Sequence, residues 1–241
     1  MSEEGYFSIW LNPLQWLAFD LRGIGDMPEE VTDTDVLDFV CIPGTERSLT
    51  AFIDRYDQIN EAAPHWRFAP QEQNILEKLV WPLRQAKANY VLGNYLATVA
   101  LCGIVAEMAS MLLFEISTIA INNQPLTDKD QENLFGARFE KLRQSRRVKV
   151  LRAYSIIDDV LAKDFDMVAS ARNKYLHNWS VDHENLADVA LEAYVATLGI
   201  IAQITGEQVH EGRIYMSPAM VRYLEKKGAY KAANESQQQP E

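Results

Sequence analysis

Apolar residues recur along this chain at intervals of three and four rather than two, and Gly and Pro fall mostly between the periodic segments. That pattern predicts an all-α protein. Asn12 before Pro13 reads as a cap followed by a proline in the first helical turn, opening a segment that ends near Arg22. Asp33 is placed to cap a short helix to Val40, and a third helix from about Glu46 to Asn60 sets Leu49, Phe52, Ile53 and Tyr56 on one face. Beyond Ala63-Pro64-His65-Trp66 the helical segments lengthen. One runs from about Pro70 toward Leu92 with a kink expected at Pro82. The next, from about Asn94 to Ile121, is apolar almost all round and stops at Asn122-Asn123-Gln124-Pro125.

Thr127 followed by Asp130 predicts a capped start leading into a basic helix near Gln131 to Gln144. Further helical segments cover about Arg147 to Ala162, Asp164 to Trp179 and Glu184 to Thr205. Val209 to Met216 reads as a short extended piece, followed by a helix with Ser217 as cap, Pro218 in its first turn and Gly228 as its stop. Asn234 to Glu241 reads as a solvated tail. No internal repeat is visible. The expected organisation is a bundle of four to five helices over residues 69–206, preceded by an acidic helical appendage, 1–68, and followed by a C-terminal helix and tail, 207–241.

The composition, 48% hydrophobic and 24% charged over 241 residues, excludes a disulfide miniprotein and a disordered chain. A net charge of −11 argues at first against a protein that coats nucleic acid or an anionic membrane. Its distribution changes that reading. Residues 1–63 hold 13 acids against Arg22, Arg47 and Arg55, a net −10, which leaves −1 for the remainder. The acidic appendage is therefore expected to shield a basic surface elsewhere, without precluding a local nucleic-acid site.

Cys41 and Cys102 cannot build a disulfide framework and read as unpaired core thiols. The N-terminus is acidic where a secretory signal is basic, so a cytoplasmic location is expected. Tyr95 to Leu113 is long enough to span a bilayer, but Glu107 lies inside it, at a cost of about 3 kcal/mol near a midplane. No flanking Lys/Arg cluster orients an insertion, so a buried central helix and no membrane partner are expected. Trp10, Trp16, Trp66 and Trp81 read as packing residues.

The chemistry concentrates in Ala171-Arg172-Asn173-Lys174-Tyr175-Leu176-His177-Asn178-Trp179. At this composition an Arg followed five positions later by His is expected about 0.2 times by chance, and about 0.01 times with Asn directly after the Arg. A basic stretch lies upstream: Arg138, Lys141, Arg143, Arg146, Arg147, Lys149 and Arg152, interrupted by Glu140. It reads either as a solvated face or as a phosphate-binding stripe, with Lys174 adding to it. Its few aromatics, Phe135, Phe139 and Tyr154, favour backbone tracking over base stacking. His65, His183 and His210 form no ligand spacing with one another or with cysteine, so neither a metal nor another cofactor is expected. There is no Gly-rich phosphate loop, paired-carboxylate metal signature or nucleophile elbow.

Arg172-Asn173-x-x-x-His177 near the end of a late helix, preceded by a long apolar helix with one embedded acid, resembles the HEPN superfamily (higher eukaryotes and prokaryotes nucleotide-binding domain) over about residues 70–206. The resemblance implies a helical bundle that dimerises and sets two copies of an Arg-x4-6-His motif across a shared cleft. It implies a metal-independent endoribonuclease of toxin-antitoxin or defence systems, restrained by an antitoxin or regulatory protein. Members that have lost activity serve instead as dimerisation or partner-binding modules or bind nucleotides without cleaving them, and these readings stay open.

The residues suit the chemistry. His177 can move protons near neutral pH, and Arg172 offers a charged fork to phosphate. On one helix these two lie about 140° apart, whereas Asn173 and His177 lie about 40° apart and share a face, so Asn173 is expected to orient the imidazole. Structural roles are open beside these: Arg172 as the partner of Glu107, and His177 as an ordinary helix-end imidazole.

Overall fold

A computed structural model describes residues 32–42, 45–63, 72–117, 119–121, 124–178, 180–205, 208–210 and 213–228. The segment expected from Asn12 to Arg22, the tail from Asn234 and the side chains of Trp10, Trp16 and Trp66 lie outside the described residues. The protein is an all-α helical bundle. Its helices are α1 (Asp33–Val40), α2 (Leu49–Ala62), a long α3 described below, α4 (Tyr95–Ser117), α5 (Asp128–Phe135), α6 (Gln144–Ala153), α7 (Asp159–His177), α8 (Leu186–Thr205) and α9 (Pro218–Lys226). Two short antiparallel ribbons join them: β1 (Ala120–Ile121) with β2 (Gln124–Pro125), and β3 (Gln208–His210) with β4 (Arg213–Tyr215).

The expected Pro82 kink is resolved by a change of helix type. α3 starts as Gln73–Ile75, widens to a π-helical turn over Leu76–Val80 and continues as Trp81–Val91. Proline lacks the N–H for an α-helical bond and its ring crowds the carbonyl four residues back. The wide turn absorbs both: the Trp81 N–H reaches back five residues to Leu76 O, and Pro82 follows at the second position of a fresh α-helical segment. Trp81 itself remains 48% exposed, contrary to the packing role expected of it.

α4 is the axis of the bundle, packed against α3, α6, α7 and α8. Val99, Cys102, Val105, Ala106 and Ala109 along it are fully buried, joined in one core by Phe165, Val168, Ile200 and Ile201. Complete burial of each large aliphatic contributes about 1.5–3 kcal/mol before chain entropy is counted. α4 and α8 are long and apolar enough to cross a membrane, and 56% and 50% of their apolar windows are buried inside the bundle. The core reaches beyond residues 69–206, taking in Ile59 from α2 and Met220 and Leu224 from α9.

Several element bounds differ from expectation for local reasons. α2 buries Ala51 and Ile59 and leaves Leu49, Ile53 and Tyr56 at least half exposed, so the face these three share is turned outward. Arg55 sets that rotation by donating from Nε to Val91 O at 2.7 Å, and Tyr90 Oη donates to Gln58 Oε1 at 2.9 Å. The expected basic helix from Gln131 to Gln144 is broken. The Thr127–Asp130 capping box starts α5, but Gly136 takes a left-handed φ of 80° and ends it, and a 3-10 turn, Phe139–Lys141, precedes α6. The bounds expected near 162–164 fall instead at 154–158, where Ser155 has φ 54° and Asp158 caps α7 by accepting from Leu161 N at 2.8 Å.

Candidate functional site

The long apolar helix presents Gly103 and Glu107 four residues apart, hence on one face. Into that face runs Arg172 from α7. Its guanidinium Nη1 donates to Glu107 Oε1, while its aliphatic stem lies directly over Gly103. A Cβ at position 103 would stand 2.5 Å from Arg172 Cδ, so the approach requires glycine at this point. Both charged side chains stay partly open to solvent, 28% for Arg172 and 30% for Glu107. The pair expected from the sequence is therefore made, and it fixes the guanidinium without sealing it.

A second arginine feels the Glu107 charge without bonding to it. Arg147 of α6 is buried, 8% exposed, and donates from Nε to Phe139 O at 3.3 Å and from Nη2 to Glu140 O at 2.7 Å. Burial lowers its pKa from the ordinary guanidinium value, and the charges of Glu107 and Glu140 oppose that shift. Arg147 was expected to contact RNA. Its side chain is instead buried and holds the 3-10 turn through Nε and Nη2, which corrects that assignment.

The other expected cations differ in kind. Arg143, Arg146 and Lys149 are exposed, without ion pairs among the described residues, and lie within about 120° of one another around the start of α6. α6 packs against both α4 and α7, the helices that carry Glu107 and Arg172. Arg138 is salt-bridged to Asp128 and Glu140, and Arg152 to Asp159. Phe135 and Phe139 are buried, Phe139 stacked on Phe114 at 4.0 Å between centroids, so neither is presented to a base.

His177 is the last residue of α7 and is exposed, continuing the outer edge formed by Asp166, Ser170 and Asn173. Asn173 makes no hydrogen bond to His177 among the described residues, so the orienting contact expected of it is absent from this arrangement. His177 instead borders an open recess of 640 Å³, lined also by Tyr175, Asn178, Asp182 and His183. The His183 ring packs edge-on to Tyr175 with centroids 5.9 Å apart, and Lys174 Nζ lies 4.8 Å from the Tyr175 ring centre. Arg172 does not line this recess. Within one chain, the two ends of the motif therefore open to different surroundings.

The role of Gly103 and the place of His183 were not identified from the sequence. Gly103, four residues before the only acid between Tyr95 and Leu113, carried a usable signal; His183 sits in a loop with no periodicity to mark it. Cys102 is unsuited to nucleophilic work, because burial pushes its thiol up to about 12 despite a contact with Thr197. Among the described residues no group of three or more His, Cys, Asp or Glu is placed to hold a metal ion. A separate hollow of 480 Å³ between α3, α4 and α9 includes none of the motif residues. Of its cations Lys78, Arg138 and Lys227, the last two are paired with acids. Compared with family models, curated proteins and solved structures, the chain finds no match.

Proposed function

We propose that this chain is a HEPN-like, metal-independent endoribonuclease, acting as a homodimer in the cytoplasm and serving as a toxin or defence effector restrained by a partner protein. The observation that carries the reading is the contrast between the two ends of the motif: Arg172 is locked by Glu107 over Gly103, while His177 stands exposed at an open recess. A fixed, partly open guanidinium suits a phosphate whose charge grows in the transition state. An exposed imidazole suits proton transfer at the ribose 2′-hydroxyl or at the leaving oxygen. A second copy supplies what one chain separates, by setting the His177 recess of one protomer against the Arg172 slot of the other.

The test is cleavage of RNA by the full chain in the presence of EDTA, with the product ends identified. Wild type is expected to leave 2′,3′-cyclic phosphate and 5′-hydroxyl ends, and His177→Ala to leave the RNA intact. Cleavage that EDTA abolishes, or that His177→Ala retains, contradicts the reading.

A second reading, a catalytically silent dimerisation or partner-binding module, is favoured by one observation: the direct bond from Arg172 to Glu107. In that case Arg172→Ala lowers stability and leaves RNA untouched in both proteins.

A further inference from the structure

Cleavage of an RNA strand by its own 2′-hydroxyl needs two proton transfers, one away from O2′ and one toward O5′, on opposite sides of the phosphorus. The motif supplies one imidazole. The recess supplies another: His177 and His183 line the same 640 Å³ opening. They reach it from different elements, His177 as the last residue of α7 and His183 from the loop before α8. The His183 ring is positioned by its edge-on contact with Tyr175, itself 6% exposed and thus fixed in the core. The loop around it is held by Leu186 N donating to His183 O at 3.1 Å and by Asp182 Oδ1 accepting from Glu184 N at 3.2 Å. Asp182 is occupied in that turn, which leaves the two imidazoles as the recess groups suited to passing protons near neutral pH. Lys174 Nζ lies over the ring of Tyr175, which lines the same opening.

We infer that His183 is a second catalytic residue, and that His177 and His183 act as a base and acid pair on one RNA phosphodiester. This rests on the ribonuclease reading above. In the step, one neutral imidazole takes the 2′-hydroxyl proton while O2′ bonds to phosphorus. The P–O5′ bond breaks and the other histidine, as imidazolium, gives its proton to O5′. The products are a 2′,3′-cyclic phosphate and a 5′-hydroxyl; no electrons are exchanged and no co-reactant is consumed.

The experiment uses the full chain and a short RNA carrying a cleavage site mapped with wild type, made in two forms: with the ordinary linkage, and with sulfur replacing the 5′-bridging oxygen. Sulfur leaves without being protonated, so it spares the acid and not the base. His177→Ala and His183→Ala are each expected to slow the ordinary RNA by about 10²- to 10⁴-fold. On the sulfur-bridged RNA one of the two, and only one, returns to within about tenfold of wild type, identifying it as the acid. His183→Phe, which keeps the aromatic contact with Tyr175, is expected to lose the same activity as His183→Ala. If His183→Phe cleaves ordinary RNA at the wild-type rate while His177→Ala does not, the pair is overturned and the ribonuclease reading stands. If both variants respond alike to the sulfur, the division of labour is overturned. A wild type that cleaves neither RNA overturns both readings together.

Discussion

Glu107 is the only acid between Tyr95 and Leu113, and its carboxylate is paired with Arg172 arriving from α7. That need was legible in the sequence, since an acid stranded on an apolar helix calls for a cation, and Arg172 was the named candidate. The manner of the approach was not, because only the packed structure reveals that the Arg172 stem crosses α4 where Cβ is missing at Gly103. Replacing Glu107 by Gln is expected to cost about 1–2 kcal/mol in urea unfolding, between the values for an exposed pair and a buried one. Gly103→Ala is a sharper probe. The gain in helix propensity of about 1 kcal/mol is set against about 1–3 kcal/mol for crowding, so stability changes little or falls slightly. RNA cleavage by Gly103→Ala should nevertheless drop as far as that of Arg172→Ala, because the guanidinium is displaced. A cleavage rate equal to wild type would show that its position is immaterial.

At the scale of elements, the sequence yields helix identity more readily than helix ends. The caps Thr127 and Ser217 and the stop at Gly228 stand where the residue types placed them, because capping is a local matter of one side chain and the first turn. The breaks at Gly136 and at 154–158 were missed, since polar and basic residues on both sides continue a helical pattern and only the left-handed φ at Gly136 and Ser155 interrupts it. The outward rotation of α2 was equally hidden, being set by Arg55 and Gln58 reaching other segments. The α5 cap has a pH signature. The Asp130 carboxyl is held below the ordinary value, chiefly by the Thr127 hydroxyl and then by the Thr127 N–H. A carboxyl with a lowered folded pKa stabilises the fold above its unfolded value, and that contribution disappears as pH falls through the folded value. Amide protection over 128–135 should therefore weaken below about pH 4, and Asp130→Ala should show the weakened protection already at neutral pH.

For the molecule as a whole, the net charge of −11 conceals a division of labour, with −10 on residues 1–63 and free cations at the start of α6. Composition reported the first, and the stripe of Arg and Lys suggested the second. Burial alone separates the structural Arg147 from its exposed neighbours Arg143, Arg146 and Lys149. Replacing those three exposed residues by Ala should weaken RNA binding and reduce the slope of log affinity against log salt by about 2, with unfolding little changed. Arg147→Ala should do the reverse, costing about 1–3 kcal/mol through the unpaired carbonyls of Phe139 and Glu140 and leaving the salt slope unaltered. A truncation that tests charge shielding should remove residues 1–31 and spare α2, because Ile59 belongs to the core; it is expected to raise RNA affinity at low salt.

The most direct test of the account is the ratio of single-turnover RNA cleavage rates of wild type and His177→Ala in EDTA, both proteins being checked for the same helical content. The account predicts a ratio of about 10² to 10⁴, the range of a proton-transfer group. A ratio of one, or no cleavage by either protein, would contradict it.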